Sequence, residues 1–300
     1  MRPLRHVLLK IREMPMRYFV VLVYVVTAAI PSIGVADDER LVGEPTVSAR
    51  GKGAFGLGLG WAYSKGNVFV YDASLGGPAQ NQPIFKSIEG DVELRGGSAG
   101  IFVGYGDFTF MVDEWRGEGT AHTNEIGITG VFPTGGQSIT AVNQGNREYV
   151  VRWLARPFST SWFTPYAVVG KTQTGIDQRP SVGDTVIVQY RYSGPLAGLG
   201  AIVPFSRYAG LRVDGRLKFY DGQIRVASTR NPFTTYESDG SGRGKDWVLA
   251  AYASYPFTSD EPPSPSIGLQ AGYKYSTLVG PPDGTLTRKT FFIMAILSFR

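Results

Sequence analysis

Along residues 53 to 63, GAFGLGLGWAY, every second position is large and apolar: Phe55, Leu57, Leu59, Trp61 and Tyr63 alternate with Gly56, Gly58, Gly60 and Ala62. A period of two is that of a strand, whose successive side chains point to opposite faces. The clearest repetition is 209 to 220, where Ala209, Leu211, Val213, Leu217 and Phe219 oppose Arg212, Asp214, Arg216 and Lys218. Residues 267 to 276 set Ile267, Leu269, Ala271, Tyr273 and Tyr275 against Gly268, Gln270, Gly272, Lys274 and Ser276, and 98 to 105 and 148 to 156 follow the rule less cleanly. In 184 to 204 the phase changes near Ser193-Gly194-Pro195; proline cannot donate to a ladder, so a bulge is expected there.

These segments predict ten strands: 53 to 71, 90 to 105, 108 to 117, 139 to 156, 163 to 176, 184 to 204, 208 to 222, 245 to 256, 267 to 278 and 289 to 299. Short connections fall at Gly106-Asp107, 157 to 162, 205 to 208 and, slightly longer, 258 to 266. Longer polar stretches, 73 to 88, 117 to 138, 223 to 244 and 279 to 287, alternate with them, and residues 125 to 132 read equally as strand or ordered loop. Short turns at one end and long loops at the other describe an all-β, antiparallel up-and-down meander, here a barrel of about ten strands, with eight or twelve as the neighbouring solutions. No repeat of fixed period interrupts this pattern. The glycines at 56 and 58 invite comparison with the G-x-G-x-x-G nucleotide fingerprint, but Trp61 stands where its last glycine belongs.

Alternation alone does not say which face meets water. Placing Arg212, Arg216 and Lys218 against lipid would cost about 2 to 4 kcal/mol each near a bilayer midplane, so in a membrane barrel they face the lumen and the apolar side faces hydrocarbon. Aromatic residues near predicted strand ends (Trp61, Tyr63, Tyr105, Trp115, Trp162, Tyr166, Phe219, Tyr220, Tyr273 and Tyr275) suit interfacial girdles.

The first 36 residues are different text. Five basic residues precede the apolar run Phe19 to Ile30, followed by Pro31 and the small-residue site Gly34-Val35-Ala36. This predicts a secretory signal over 1 to 36, a periplasmic segment over 37 to 52 and the barrel over 53 to 300, with Met1, Met14 and Met16 as alternative starts. Of the 30 Lys and Arg and 25 Asp and Glu, the signal holds five and one, leaving a net charge of +1 on the remainder. That balance, without a basic cluster, argues against nucleic-acid binding. With no cysteine the chain has no disulfide and no thiolate metal site.

The chain ends TFFIMAILSFR, with Phe291, Ile293, Ala295, Leu297 and Phe299 on one face. This resembles the C-terminal strand of Gram-negative outer-membrane β-barrel proteins, and the architecture is similar to the small OmpA- or OmpW-type barrels. Arg300 follows the aromatic where the family usually stops, and Phe292, Met294 and Ile296 make the other face unusually apolar. The resemblance implies outer-membrane localisation after export, contact with outer-membrane lipids, and assembly by machinery that reads Phe291, Ile293, Leu297 and Phe299. It implies no oligomeric state.

Candidate chemistry is sparse. The one histidine beyond the signal, His122, is the residue a serine-esterase-like lipid hydrolase would need, but no serine lies within two positions, and a solvated loop histidine is expected. One histidine also makes a His-based zinc site improbable. Asp113 and Glu114 point to opposite faces and Asp260-Glu261 sits in a Pro-rich turn, so neither pair is placed for acid–base work; ten-stranded Asp-based outer-membrane proteases match the chain in size only. The expectation is no catalytic, cofactor or metal site. The lumen lining is expected to hold Asp113, Glu148, Arg152, Arg156, Arg212, Asp214, Arg216, Lys218 and Lys274, six cations against three anions. Two non-enzymatic roles fit it: a narrow channel for small polar solutes, or a structural or surface-interaction barrel, adhesin-like, whose lumen is filled by salt bridges.

Overall fold

The computed structural model describes residues 53–74, 84–124, 137–160, 162–180, 186–206, 208–228, 235–257, 265–280 and 284–299. The expected signal, the segment 37 to 52 and the alternative starts lie outside the described residues, as do 125 to 132. Ten antiparallel strands close into one barrel: β1 (Gly53–Ser74), β2 (Ile84–Tyr105), β3 (Phe108–Asn124), β4 (Gln137–Leu154), β5 (Thr164–Pro180), β6 (Val186–Ser206), β7 (Ala209–Ser228), β8 (Thr235–Pro256), β9 (Pro265–Gly280) and β10 (Gly284–Phe299). Each strand pairs with its sequence neighbours, and β1 closes the ring on β10 from Phe55↔Phe299 to Gly66↔Arg288. Every strand of the ring pairs on both sides, as backbone in hydrocarbon demands, and only extensions such as β1 beyond Gly66 and β8 before Arg243 pair on one side.

The strands run further than the sequence pattern predicts. Polar stretches expected as loops are paired hairpin arms: β3 continues to Asn124, β8 begins at Thr235, and β9 and β10 meet across residues 281 to 283. Alternation thins out there because the sequence carries polar residues and glycine at most positions of either parity, while the hydrogen-bond ladder, blind to side-chain polarity, continues. The bulge expected near Pro195 is absent. The β6–β7 register holds one phase from Ser193↔Asp221 to Leu196↔Lys218, skipping only the rungs of Gly194 and Pro195, and Pro195 points outward. The irregularity falls at Pro204/Ser206, next to the turn into β7.

At the other end the turns are tight. Gly106, at φ 59, takes the left-handed conformation that joins Tyr105 to Phe108, where a Cβ would be strained. A 3-10 turn, Arg156–Phe158, follows β4.

The outer wall is apolar over a continuous band. Phe55, Leu57, Leu59 and Trp61 of β1, Ile101, Val103 and Tyr105 of β2, Phe108 and Phe110 of β3, and Leu217 and Phe219 of β7 are all exposed. At a rise of about 3.3 Å per residue and a tilt of about 40°, the run from Phe55 to Tyr63 covers roughly 20 Å of membrane normal, close to the ~25 Å band of a bilayer-spanning barrel. The band ends in exposed cross-strand ion pairs: Lys65–Glu93 at 3.1 Å, Glu114 with Arg147 at 2.5 Å, and Arg191–Asp177 at 2.7 Å. Inside, apolar side chains fill both ends and the charged ones lie between them.

Three aromatic residues expected in the girdles face inward instead: Tyr166 and Tyr220 are buried, and Trp115 has a buried indole nitrogen. Trp115 shares its strand parity with Asp113, Tyr166 with Val168, and Tyr220 with Lys218, so backbone phase decides against the general preference of aromatics for the interface. Glycines make room for them, Gly200 from the neighbouring strand β6 and Gly117 from Trp115's own strand. A Cβ on Gly200 would come within 2.3 Å of the Tyr166 ring, and one on Gly117 within 2.6 Å of Trp115.

Candidate functional site

The lumen is filled in layers. Near the tight turns, Phe102, Met111, Val150, Leu154, Tyr166, Ile202, Tyr252 and Ile296 form an apolar cluster; towards the long-loop end, Val92, Leu94, Val142, Ile176, Tyr190, Tyr192 and Tyr220 form another. Between them lies a belt of charges.

Glu148 of β4 is its hub. Its carboxylate accepts from Arg216 at 2.5 Å, from Lys218 at 2.6 Å and from Lys274 at 3.0 Å, and Asn146 donates to it at 3.1 Å. Asp246 of β8 bridges the two lysines, 2.6 Å from Lys218 and 2.9 Å from Lys274. Asp214 takes Arg216 at 2.8 Å and the Tyr166 hydroxyl at 2.9 Å, with Arg212 at 3.8 Å. Arg152 lies over the Tyr166 ring, 5.7 Å from its centroid. Charges removed from water are tolerated only when matched and hydrogen-bonded in this way.

Strand positions make the belt a crossbar. In the ring order, β4 and β9 stand five places apart in either direction, so the Glu148–Lys274 bridge spans the full diameter. Small cavities flank it. One of about 160 Å³ lies towards the long loops, lined by Trp115, Asn146, Asp246, Lys274, Arg288 and Phe292 among others. A second, of about 150 Å³, lies towards the turns among Asp113, Met111, Arg212 and Ile296.

Of the residues expected in the lumen, Asp113, Glu148, Arg152, Arg212, Asp214, Arg216, Lys218 and Lys274 all face it. Arg156 does not line the lumen wall. It sits in the 3-10 turn below β4 and pairs with Asp107 of the β2–β3 turn at 2.5 Å, because the strand ends at Leu154 and its alternation no longer applies. His122 belongs to strand rather than loop, in register with Asp91 on β2 and Ile139 on β4. Asp113 is the register partner of Glu148, so two carboxylates do meet across β3 and β4, but Glu148 is engaged by the cations opposite.

Two belt residues escape the sequence pattern. Asp246 stands in β8 where Gly240, Gly242 and Gly244 share its inward face and leave no alternation to read, although Val248 and Ala250 carry the same phase. Arg288 sits in β10 beyond the apolar run of the terminal strand. At the strand's other end Phe299 stacks on Phe55, ring centroids 4.8 Å apart, and Phe291, Ile293 and Leu297 share its outward face, joining the last strand to the first. Among the described residues no group of three or more His, Cys, Asp and Glu could hold a metal ion.

No protein-family model and no curated protein matches the chain. Among solved structures it is similar to the outer membrane protease OmpT from Escherichia coli, with 10% identity, 82% of this chain and 96% of that one covered and a TM-score of 0.45. It is also similar to the outer membrane protein OprG from Pseudomonas aeruginosa (10% identity, 83% and 96% covered, TM-score 0.40). A third likeness is to the translocator domain of the autotransporter NalP from Neisseria meningitidis (12% identity, 86% and 92% covered, TM-score 0.36). At this strength none of them bears on what the chain does.

Proposed function

We propose that the chain is an integral outer-membrane barrel with a closed lumen, acting as a structural or surface-interaction protein. The observation that carries this reading is the Glu148 crossbar. A carboxylate on β4 that holds cations from β7 and, across the full diameter, from β9 places paired side chains across the lumen at that level, which supports a closed interior. Apolar layers above and below the belt add to the closure. The polar hairpin arms that continue past the ion-pair rim supply surface for contacts outside the membrane. The proposal assigns the chain no reaction. Its location rests on the apolar outer band and the resemblance of the terminal strand.

A narrow solute channel, the other role that fits the charged lining, needs the Glu148 bridges to part. Planar-bilayer recording of the refolded protein decides between the two: the closed reading expects no steady conductance at moderate voltage, and stable single-channel steps from the unaltered protein would overturn it.

A further inference from the structure

Carboxylates hold Arg216, Lys218 and Lys274 of the belt, and Arg212 lies 3.8 Å from Asp214; the Arg288 guanidinium has neutral acceptors instead. Arg288 of β10 is buried, at 6% exposure. Its Nε donates to Gln144 at 3.1 Å, and Nη1 donates to the backbone carbonyls of Asn67 and, at 3.1 Å, Thr287. These acceptors are neutral. Nη2 is buried with no hydrogen-bond partner, and among the described residues no Asp or Glu pairs with this guanidinium. An unmatched buried charge is among the most costly features a protein can carry, and a bound counter-ion relieves it.

A cavity adjoins it. Arg288 lines the ~160 Å³ space on the long-loop side of the belt. The Nε1–H of Trp115 and the hydroxyl of Ser98, register partners on β3 and β2, line the same space and are also buried without partners. All three unmatched groups can donate, and two of them can only donate. Lys218 and Lys274 line it as well, both held by Asp246 and Glu148, and Ile176, Leu278, Leu286, Phe292 and Met294 give it an apolar side. A cavity of about 150 Å³ accommodates a benzene-sized body.

We propose that this cavity binds a small organic carboxylate, its head paired with Arg288, its apolar body against Phe292 and Met294, and a further acceptor met by Trp115 and Ser98. The cavity lies on the long-loop side of the crossbar, so a ligand entering from that end does not pass the Glu148 bridges.

The experiment is calorimetric titration of refolded protein in detergent micelles with benzoate, against a micelle-only blank, with benzyl alcohol and chloride as the neutral and the inorganic probe. Saturable one-to-one binding of benzoate is expected, with both other probes at least tenfold weaker. Arg288→Gln should weaken benzoate at least tenfold, and Trp115→Phe, which keeps the packing and deletes the N–H, should weaken 4-nitrobenzoate, whose nitro group is a further acceptor, more than it weakens benzoate. Heat-modifiable migration in gels certifies that each variant is folded; should Arg288→Gln fail that check, Arg288→Lys serves, with weakened but measurable binding expected. The proposal is overturned if benzoate does not bind, if benzyl alcohol or chloride binds as tightly, if a folded Arg288 variant binds benzoate as the parent does, or if Trp115→Phe weakens 4-nitrobenzoate no more than benzoate. None of these results depends on conductance, so the closed-lumen reading and this one fail separately.

Discussion

Glu148 and Glu114 make the same kind of bond in opposite surroundings. Glu148 holds three cations inside a closed barrel, whereas Glu114 pairs with Arg147 and Arg116 on the exposed outer wall. Removing one member of a buried set strands the others and costs about 3 to 5 kcal/mol, while an exposed pair contributes about 0 to 1. Glu148→Ala should therefore lower unfolding stability severalfold more than Glu114→Ala, measured by urea titration in lipid vesicles; equal losses would mean the belt is hydrated. The side that each charged residue takes was legible from parity for most of them, because an arginine between two leucines on a strand has one affordable direction. Asp246 and Arg288 were not, since their strands carry glycine or polar residues on both faces and alternation has nothing to register.

At the scale of the strand, what the sequence pattern reports is the environment and not the backbone. The ten strands were countable from it, and the outward residues of β1, β7 and β9 were named correctly, because hydrocarbon outside and a crowded lumen inside impose different side chains. Where β3, β7 and β8 leave the membrane that contrast ends, and strand reads as loop although pairing continues to Asn124, Ser228 and Thr235. Pro195 misleads in the same way: lacking an N–H removes local ladder bonds, but a single gap in a closed sheet does not force a bulge. Leu217, half-exposed on β7 between the inward Arg216 and Lys218, tests the assignment of faces. Leu217→Arg should destabilise the barrel in bilayers by about 2 to 4 kcal/mol, whereas the same change on a solvated face would be nearly neutral. An unaffected unfolding midpoint would reverse inside and outside.

The whole barrel makes a sharper statement about its five tryptophans. Trp61, Trp153 and Trp247 are exposed on the outer wall, Trp162 is exposed in the connection that precedes β5, and Trp153 lies level with Phe108, next to the tight turns. Trp115 lies inside, against Gly117 and the cavity lining. Aromatic side chains at both rims of an apolar band are what anchor a barrel at the height where hydrocarbon gives way to headgroups. Brominated lipid chains quench only indoles they can touch, so four tryptophans should lose emission in vesicles of brominated phosphatidylcholine and one should not. Trp115→Phe should then remove the unquenched fraction of the fluorescence and leave the quenched part intact, while Trp61→Phe or Trp247→Phe should remove quenched signal. If instead Trp115 carries as much of the quenching as Trp247, lipid reaches the face now assigned to the lumen, and the belt of buried ion pairs, the closed interior and the anion cavity would all have to be rebuilt from the opposite side of the sheet.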